Sequence, residues 1–189
     1  MGENTKLAVF FPGIGYHVDK PLLYYTKKLA VAAGFDTVDV PYKNTQKNVK
    51  GNNQKMMEAY REALQQAEIL LQDIRFEQYK KLLFVSKSMG TAVACSYQRA
   101  HGLRSGNIYF TPVVQTFSVV VEEGIVFHGS ADPWARCEMI EELCREKKIP
   151  IYITENGNHS LETGDVETDL ANLQTIMEKV KLYMKMIGE

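Results

Sequence analysis

The chain has 189 residues, which fits one ordinary domain. Hydrophobic residues make up 45% of it and charged residues 24%, as in globular proteins that fold without disulfides or metal ions. The 22 basic and 23 acidic residues give a formal net charge of −1, which argues against a nucleic-acid surface and a polybasic membrane anchor. We therefore expect one domain over residues 1–189, with neither nucleic acid nor a membrane as its partner.

The first apolar run, Leu7–Phe11, is too short for the core of a signal peptide or for a membrane span. The three cysteines are odd in number and form no CxxC motif, so neither a disulfide framework nor a zinc site is expected. These features predict a cytoplasmic protein. The oligomeric state has no signal in the sequence.

Short apolar runs, rich in β-branched and aromatic residues, recur along the chain and predict six strands. Most are apolar at nearly every position, which is typical of strands that are buried on both faces. The predicted strands are Leu7–Phe11, Thr37–Val40, Leu82–Val85, Asn107–Phe110, Ile125–His128 and Ile151–Thr154.

Longer stretches of helical period lie between these strands. Predicted helices run from Asp19 to Gly34, from Asn53 to about Phe76, from Pro133 to about Lys148 and from Asp165 to Ile187. Asp19 is the expected cap of the first helix, with Pro21 in its first turn. An apolar stripe on the second helix is predicted to face the core, and consists of Met56, Met57, Tyr60, Leu64, Ala67 and Leu71.

The alternation of strands and helices predicts right-handed βαβ crossovers. The expected fold is α/β: a three-layer, doubly wound arrangement of about six mostly parallel strands with helices on both faces. Ligand sites in such sheets lie at the carboxyl ends of the strands. The residues that follow each strand are therefore the candidates for function.

The segment Ser86–Gly90 follows the third strand and precedes a helix. A small residue, a serine two positions later and a glycine two positions after that form the nucleophile-elbow pattern. The small flanks let strand and helix pass closely while the Ser88 hydroxyl projects above the sheet. The helix N-terminus there also favours a developing anion. The alternative is that Ser88 only caps the helix.

Two further candidates follow later strands. Asp132 comes after the fifth strand, directly before Pro133, and His159 lies in a polar turn after the last strand. Asp132 alone is equally well explained as a helix cap, and a lone loop histidine is usually just solvated. Together with Ser88 they stand in the chain order Ser, Asp, His. Histidine is the base with a pKa near neutrality, and a carboxylate fixes its tautomer.

The first strand leads into a glycine-rich turn, Pro12–Gly15. Such a turn can aim a backbone N–H at the site, and paired with the N–H of Met89 it would form an oxyanion hole. A dinucleotide-binding loop is the rival interpretation. It fails the Rossmann pattern, because Val18 occupies the position of the third glycine.

These motifs resemble those of the α/β-hydrolase family, in a small form that covers nearly the whole chain. The resemblance rests on Phe10–Gly15, Ser86–Gly90, His128–Pro133 and Gly157–Leu161. It implies that Ser88 is the nucleophile, His159 the base and Asp132 the orienting acid, with the backbone N–H groups of Ile14 and Met89 as oxyanion donors.

This sequence departs from the family pattern in several places. Ser86 replaces the usual first glycine of the elbow, and Pro12 stands where many members have histidine. The first two family strands are missing. The usual cap is expected to be absent as well, because only Pro112–Glu123 separate the fourth and fifth strands.

The resemblance and the residues together predict a lid-free serine hydrolase for a small acyl ester or thioester, without a metal or organic cofactor. Tyr16, His17 and Trp134 are the candidates for the substrate pocket. A hydrolase-fold binding protein without turnover is the alternative, and a flavodoxin-like nucleotide binder comes third. The sequence leaves open which acyl substrate is used, and whether the protein is an esterase, a thioesterase or an acyltransferase.

Overall fold

The computed structural model describes residues 5–43, 49, 51–120 and 123–188. Its sheet has six strands, all parallel, in the order β2-β1-β3-β4-β5-β6. The strands are β1 (Lys6–Phe11), β2 (Asp36–Asp39), β3 (Lys81–Lys87), β4 (Gly106–Phe110), β5 (Gly124–Gly129) and β6 (Ile151–Thr154). All six predicted strands are confirmed, with small shifts at their ends.

Six α-helices connect or flank these strands among the described residues. They are α1 (Pro21–Ala32), α2 (Asn53–Leu71), α3 (Met89–Ala100), α4 (Thr116–Val119), α5 (Cys137–Lys147) and α6 (Val166–Gly188). A short 3-10 turn, Phe76–Gln78, precedes β3. No helix in the described part of the chain is long and apolar enough to cross a membrane.

The helices lie on both faces of the sheet, as the alternation predicts. On β1, Ala8 and Phe10 belong to one core cluster, together with buried residues of α1 and α6. The intervening Leu7 and Val9 belong to a second cluster, together with buried residues of α2 and α3. A third cluster on the α2 and α3 side holds α5 against β4 and β5. Every strand except the two edge strands, β2 and β6, therefore has mostly buried side chains on both faces.

The first helix differs from the prediction at its start. Its N-cap is Lys20, without a side-chain cap bond, so Asp19 is not the cap. Its end agrees with the prediction: Gly34 has a φ of +81°, and its N–H donates to the carbonyl of Val31 at 3.0 Å. The later helix α5 begins at Cys137 and not at Pro133.

The second helix ends at Leu71, earlier than predicted, and most of the predicted stripe faces the core. Asn52 caps it by accepting a hydrogen bond from the N–H of Lys55 at 2.9 Å. The predicted stripe is wrong in part, because Met57 is 44% exposed. The buried residues of α2 are Ala59, Ala63, Ala67 and Leu71, and they share a core cluster with residues of β1, β3 and α3.

Candidate active site

The turn between β3 and α3 consists of Ser88 alone, since β3 ends at Lys87 and α3 begins at Met89. Ser88 has φ 54° and ψ −127°, backbone angles that residues other than glycine rarely adopt. The hydroxyl of Thr91 donates to the carbonyl of Ser88 at 2.6 Å and holds the turn from the helix side. Such strain persists only where the surroundings enforce it, and it lifts the serine above the sheet.

The small residues around Ser88 have the roles that the elbow pattern predicts. A methyl group on Gly90 would overlap the carbonyl oxygens of Phe11 and Pro12, so only glycine lets β1 and α3 approach this closely. Ser86 takes the place of the usual first glycine and is fully buried. Its hydroxyl donates to the carbonyl of Ile108 at 3.3 Å, which satisfies the extra polar group.

The structure brings together the three side chains that sequence order suggests. His159 Nε2 lies 2.7 Å from Ser88 Oγ, and His159 Nδ1 lies 2.7 Å from Asp132 Oδ2. An ionised carboxylate only accepts hydrogen bonds, so Nδ1–H donates to Asp132. That tautomer leaves Nε2 free to accept the hydroxyl proton of Ser88.

These contacts weigh against the simpler interpretations of each residue. Ser88 is the N-cap residue of α3, but its side chain makes no capping bond and points to His159 instead. Asp132 does not cap α5, whose N-cap is Arg136. The side chain of His159 is only 18% exposed, so it is not a solvated loop residue.

Asp132 is held in place and kept ionised. Its Oδ1 accepts from the backbone N–H of Trp134 at 2.8 Å, while Oδ2 accepts from His159. Burial alone would raise the pKa of Asp132. The hydrogen bonds and the charge interaction with His159 outweigh that effect and bring its pKa below the usual value.

A second histidine lies behind the same carboxylate. His128 is fully buried, and its Nε2–H donates to the carbonyl of Ala135 at 3.0 Å. Its Nδ1 therefore carries a lone pair, 3.8 Å from Asp132 Oδ2. Burial lowers the pKa of His128 and keeps the ring neutral, so it does not compete with His159 as a cation.

His159 lies on the turn between β6 and α6. The carbonyl of Gly157 in this turn accepts from the N–H of Ala131 at 3.0 Å, which ties the turn to the one that carries Asp132. Burial lowers the pKa of His159, and the nearby ammonium group of Lys87 lowers it further, against the opposing effect of Asp132. The imidazole is therefore neutral at neutral pH, the form that accepts a proton.

The turn after β1 lies directly beside Ser88. Gly13 and Tyr16 exchange two backbone hydrogen bonds of 3.1 and 3.3 Å, which closes a tight turn with Ile14 in it. A methyl group on Gly13 would lie 3.0 Å from Ser88 Cβ. The N–H of Ile14 takes no part in the turn's own two bonds.

No protein-family model matches this chain, and no curated protein matches its sequence. Solved structures do match it. Est1E from Butyrivibrio proteoclasticus has a TM-score of 0.71 at 9% identity, covering 97% of this chain and 88% of that one. The esterase Pf2001 from Pyrococcus furiosus has a TM-score of 0.69 at 12% identity, covering 99% and 85%. The chain has the α/β-hydrolase fold. A serine hydrolase homologue from Coxiella burnetii is also similar, with a TM-score of 0.59 at 11% identity over 95% and 85%.

A cavity of about 640 Å³ lies beside Ser88, because its lining includes Met89, the next residue of the chain, and Trp134, whose indole stacks on His159. It is lined mainly by apolar side chains from α2, the start of α3 and the segment between β4 and β5. They include Met56, Met57, Met89, Val113 and Val114, and Trp134 adds to the lining from the segment between β5 and α5. The described residues between β4 and β5 carry only the four-residue helix α4 and no larger cap.

Of the three residues predicted for the substrate pocket, Trp134 lines this cavity. Tyr16 does not: it is buried, its hydroxyl accepts from the N–H of Leu22 at 3.1 Å, and it lines a separate cavity of about 200 Å³. The side chain of His17 is 66% exposed and lies 3.7 Å from Asp19. The turn after β1 directs both residues away from the cavity beside Ser88.

Lys87 is the residue of this site that sequence reasoning missed, because the elbow pattern accepts any residue there. It is fully buried, and its Nζ donates to Thr111 Oγ1 at 2.5 Å and to the carbonyl of His159 at 2.7 Å. A lysine inside an otherwise apolar strand was the available signal. No group of three or more His, Cys, Asp or Glu that could hold a metal ion occurs among the described residues.

Proposed function

We propose that this protein is a serine hydrolase that cleaves carboxylic esters or thioesters of small acyl groups through an acyl-Ser88 intermediate. One observation carries the proposal: the hydrogen-bonded chain from Ser88 through His159 to Asp132. The strained elbow at Ser88 supports it, since strain of this kind clusters at active sites. The similar structure from Pyrococcus furiosus is named an esterase, which favours the same class of reaction.

In the acylation step, Ser88 Oγ attacks the carbonyl carbon of the substrate while its proton moves to His159 Nε2. The new C–O bond places a negative charge on the carbonyl oxygen. Asp132 stabilises the imidazolium that forms. The intermediate then expels the alcohol or thiol, which takes the proton from His159, and the acyl group remains on Ser88.

In the deacylation step, water takes the place of the departed group. His159 removes a proton from this water as its oxygen attacks the acyl carbon. The bond to Ser88 Oγ breaks, and His159 returns the proton to the serine. The carboxylic acid leaves and the starting state is restored, so the cycle consumes one water and needs no cofactor.

The charge on the carbonyl oxygen needs hydrogen-bond donors. We assign this role to the backbone N–H groups of Met89, at the start of α3, and Ile14, in the turn beside Ser88. The N-terminus of α3 adds a favourable field at the same point. The apolar cavity beside Met89 and Trp134 is the proposed place for the acyl group.

A fluorophosphonate probe tests the nucleophile. The native protein should gain one probe adduct at Ser88, detected by intact mass and peptide mapping, and Ser88→Ala should fold normally without labelling. Ser118→Ala is a matched control, because Ser118 also lines the cavity and its hydroxyl donates to a backbone carbonyl. Equal labelling of native protein and Ser88→Ala would overturn the assignment.

A substrate screen tests the turnover. p-Nitrophenyl esters and acyl thioesters of graded chain length should be hydrolysed by the native protein and not by Ser88→Ala. The alternative function is a catalytically inactive binding protein with the hydrolase fold. It predicts no labelling and no release of acid, with ester ligands still raising the Tm.

A further inference from the structure

Among the residues of the site that take no part in the proposed reaction, Lys87 is the most unusual. It lies directly before Ser88 and is fully buried. Both hydrogen-bond partners of its ammonium group, the hydroxyl of Thr111 and the carbonyl of His159, are neutral. The third side of the group faces the ring of Tyr16, whose centroid lies 4.9 Å away.

Because both hydrogen-bond partners are neutral, burial of the Lys87 ammonium group lowers the stability of the fold. Taking an ammonium group out of water is costly unless an ionised partner compensates, and methionine would fill the same volume without a charge. Burial lowers the pKa of Lys87 to about 7. The charges of Asp132 and Glu162 oppose this effect and that of Lys20 adds to it. Fold stability therefore does not explain the lysine.

The hydrogen bonds of Lys87 connect the residue that precedes Ser88 to the turn that carries His159. The turn that carries His159 is fixed on one side by the bond from Ala131 to Gly157. On the other side, the carbonyl of His159 accepts from Lys87 Nζ at 2.7 Å and from Thr111 Oγ1 at 3.1 Å. The residue next to the nucleophile thus holds the backbone of the base.

Thr111 supports this arrangement with a strained backbone. It follows β4 and has a φ of +40°, which is rare for a β-branched residue. Its N–H donates to the carbonyl of Phe127 at 2.7 Å, while its hydroxyl contacts Lys87 and His159. These contacts hold the strained backbone, which in turn places the hydroxyl between Lys87 and His159.

We propose that Lys87 is a positioning residue, which fixes the backbone of His159 relative to Ser88 and whose positive charge disfavours the imidazolium form of His159 in the resting protein. The first effect sets the distance between nucleophile and base, and the second keeps the base ready to accept a proton. This inference rests on the proposed function of Ser88 and His159. His128 and Asp132 also act on the His159 ring, so the test must compare variants in which both are kept.

The test uses Lys87→Met in the full-length protein. Lys81→Met is the matched control, since it makes the same change at the other end of the same strand. The pKa of His159 is measured by NMR titration of the imidazole signals, assigned by comparison with His159→Gln. We expect Lys87→Met to raise the pKa of His159, because a nearby positive charge is lost, and Lys81→Met to leave it unchanged.

The rate of fluorophosphonate labelling at Ser88 is the second readout. Small displacements of catalytic groups cost up to about 10²-fold in rate, so Lys87→Met should label at least about 10-fold more slowly. Its Tm should be no lower than that of the native protein. Thr111→Val, which keeps the lysine, should slow labelling by a smaller factor and covers the case in which Lys87→Met fails to fold.

The possible results distinguish a failure of the positioning role from a failure of the proposed function. An unchanged pKa of His159 and an unchanged labelling rate in Lys87→Met would overturn the positioning role. So would slow labelling with a lowered Tm and an unchanged pKa, since that pattern indicates a structural role only. A native protein that labels nowhere would refute the proposed function, while the NMR titration would still decide whether Lys87 acts on His159.

Discussion

The indole ring of Trp134 lies nearly parallel to the imidazole of His159, with centroids 5.4 Å apart and 28° between the planes. The backbone N–H of the same tryptophan donates to Asp132 at 2.8 Å. One residue thus fixes the carboxylate through its backbone and covers the imidazole with its side chain. Since burial is the main cause of the lowered pKa of His159, Trp134 contributes to keeping that ring neutral.

Trp134→Ala should shift the pH dependence of hydrolysis. The base is active when neutral, so kcat/KM falls as the pH drops through the pKa of His159, which lies below its usual value of 6.5. Without the indole, water reaches the imidazole and stabilises its charged form, so the pKa rises. The acid limb of the kcat/KM profile should therefore move to higher pH.

Tyr152→Ala is the matched control for this measurement. Tyr152 is 38% exposed, like Trp134, but it stacks on Phe127 away from His159. Tyr152→Ala should leave the acid limb of the kcat/KM profile unchanged. If the acid limb of Trp134→Ala is unchanged or moves to lower pH, the indole does not shield His159 from water.

Asp132→Asn should keep the fold but lose most of the activity. Asparagine accepts the hydrogen bond from Trp134, but its amide can donate to His159 Nδ1 and so favours the tautomer that cannot take the proton of Ser88. Loss of the same carboxylate costs about 10⁴ in kcat in well-studied serine hydrolases, so we expect a fall of at least about 10². Steady-state kinetics on a p-nitrophenyl ester measures it.

Asp165→Asn provides the comparison for a capping role, because Asp165 accepts a hydrogen bond from the N–H of Thr168 at the start of α6. Asparagine caps about as well as aspartate, so this variant should keep native activity. If Asp132→Asn also stays within a few-fold of the native rate, Asp132 does not orient the base.

Gly90→Ala should destabilise the protein although alanine is the better helix former. The added methyl group would overlap the carbonyl oxygens of Phe11 and Pro12, which belong to or follow a central strand and cannot move aside cheaply. Overpacking of this kind costs about 1–3 kcal/mol. Urea denaturation measures the free energy of unfolding.

Gly34→Ala is the control that distinguishes the steric clash expected in Gly90→Ala from the effect of losing a glycine. Gly34 has open space around its Cα but a φ of +81°, so its replacement tests only the backbone cost of a left-handed residue. If Gly90→Ala proved as stable as the native protein, the close contact between β1 and α3 would not be a constraint.

The strands could be predicted from sequence because a parallel sheet buried on both faces needs continuous apolar runs. Ser88, Asp132 and His159 could be selected as candidates because the carboxyl ends of parallel strands lie at one edge of the sheet. The hydrogen bonds between them depend on turn geometry, and no local pattern reports that. Their catalytic roles remain predictions.

The errors have a common cause in side-chain direction. Helical spacing marked Met57 as core, but this residue is 44% exposed and lines the cavity. Tyr16 was a candidate for the substrate pocket, but its ring faces Lys87 and lines a separate cavity. Hydrophobic periodicity predicts which face of a helix is apolar, but tertiary packing determines what that face contacts.

The cavity beside Ser88 predicts how activity depends on acyl chain length. Its volume of about 640 Å³ lies within the usual range of ligand pockets, and its walls are mainly apolar. Each CH₂ that touches protein should contribute up to about 0.8 kcal/mol, equivalent to about four-fold in kcat/KM. On p-nitrophenyl esters kcat/KM should therefore rise over the first few carbons, and then level or fall once further carbons reach solvent.

A bulky residue in the cavity wall should shorten the preferred chain. Val114→Trp fills part of the cavity, while Val166→Trp makes the same change at a 71% exposed position on α6 and should leave the profile unchanged. The described residues around α4 include no element large enough to act as a lid. The rate should therefore follow monomeric substrate smoothly through the critical micelle concentration. A steep rise that continues to long acyl chains, or a jump in rate at that concentration, would show that the acyl group binds in a deep tunnel or under a mobile element rather than in this cavity.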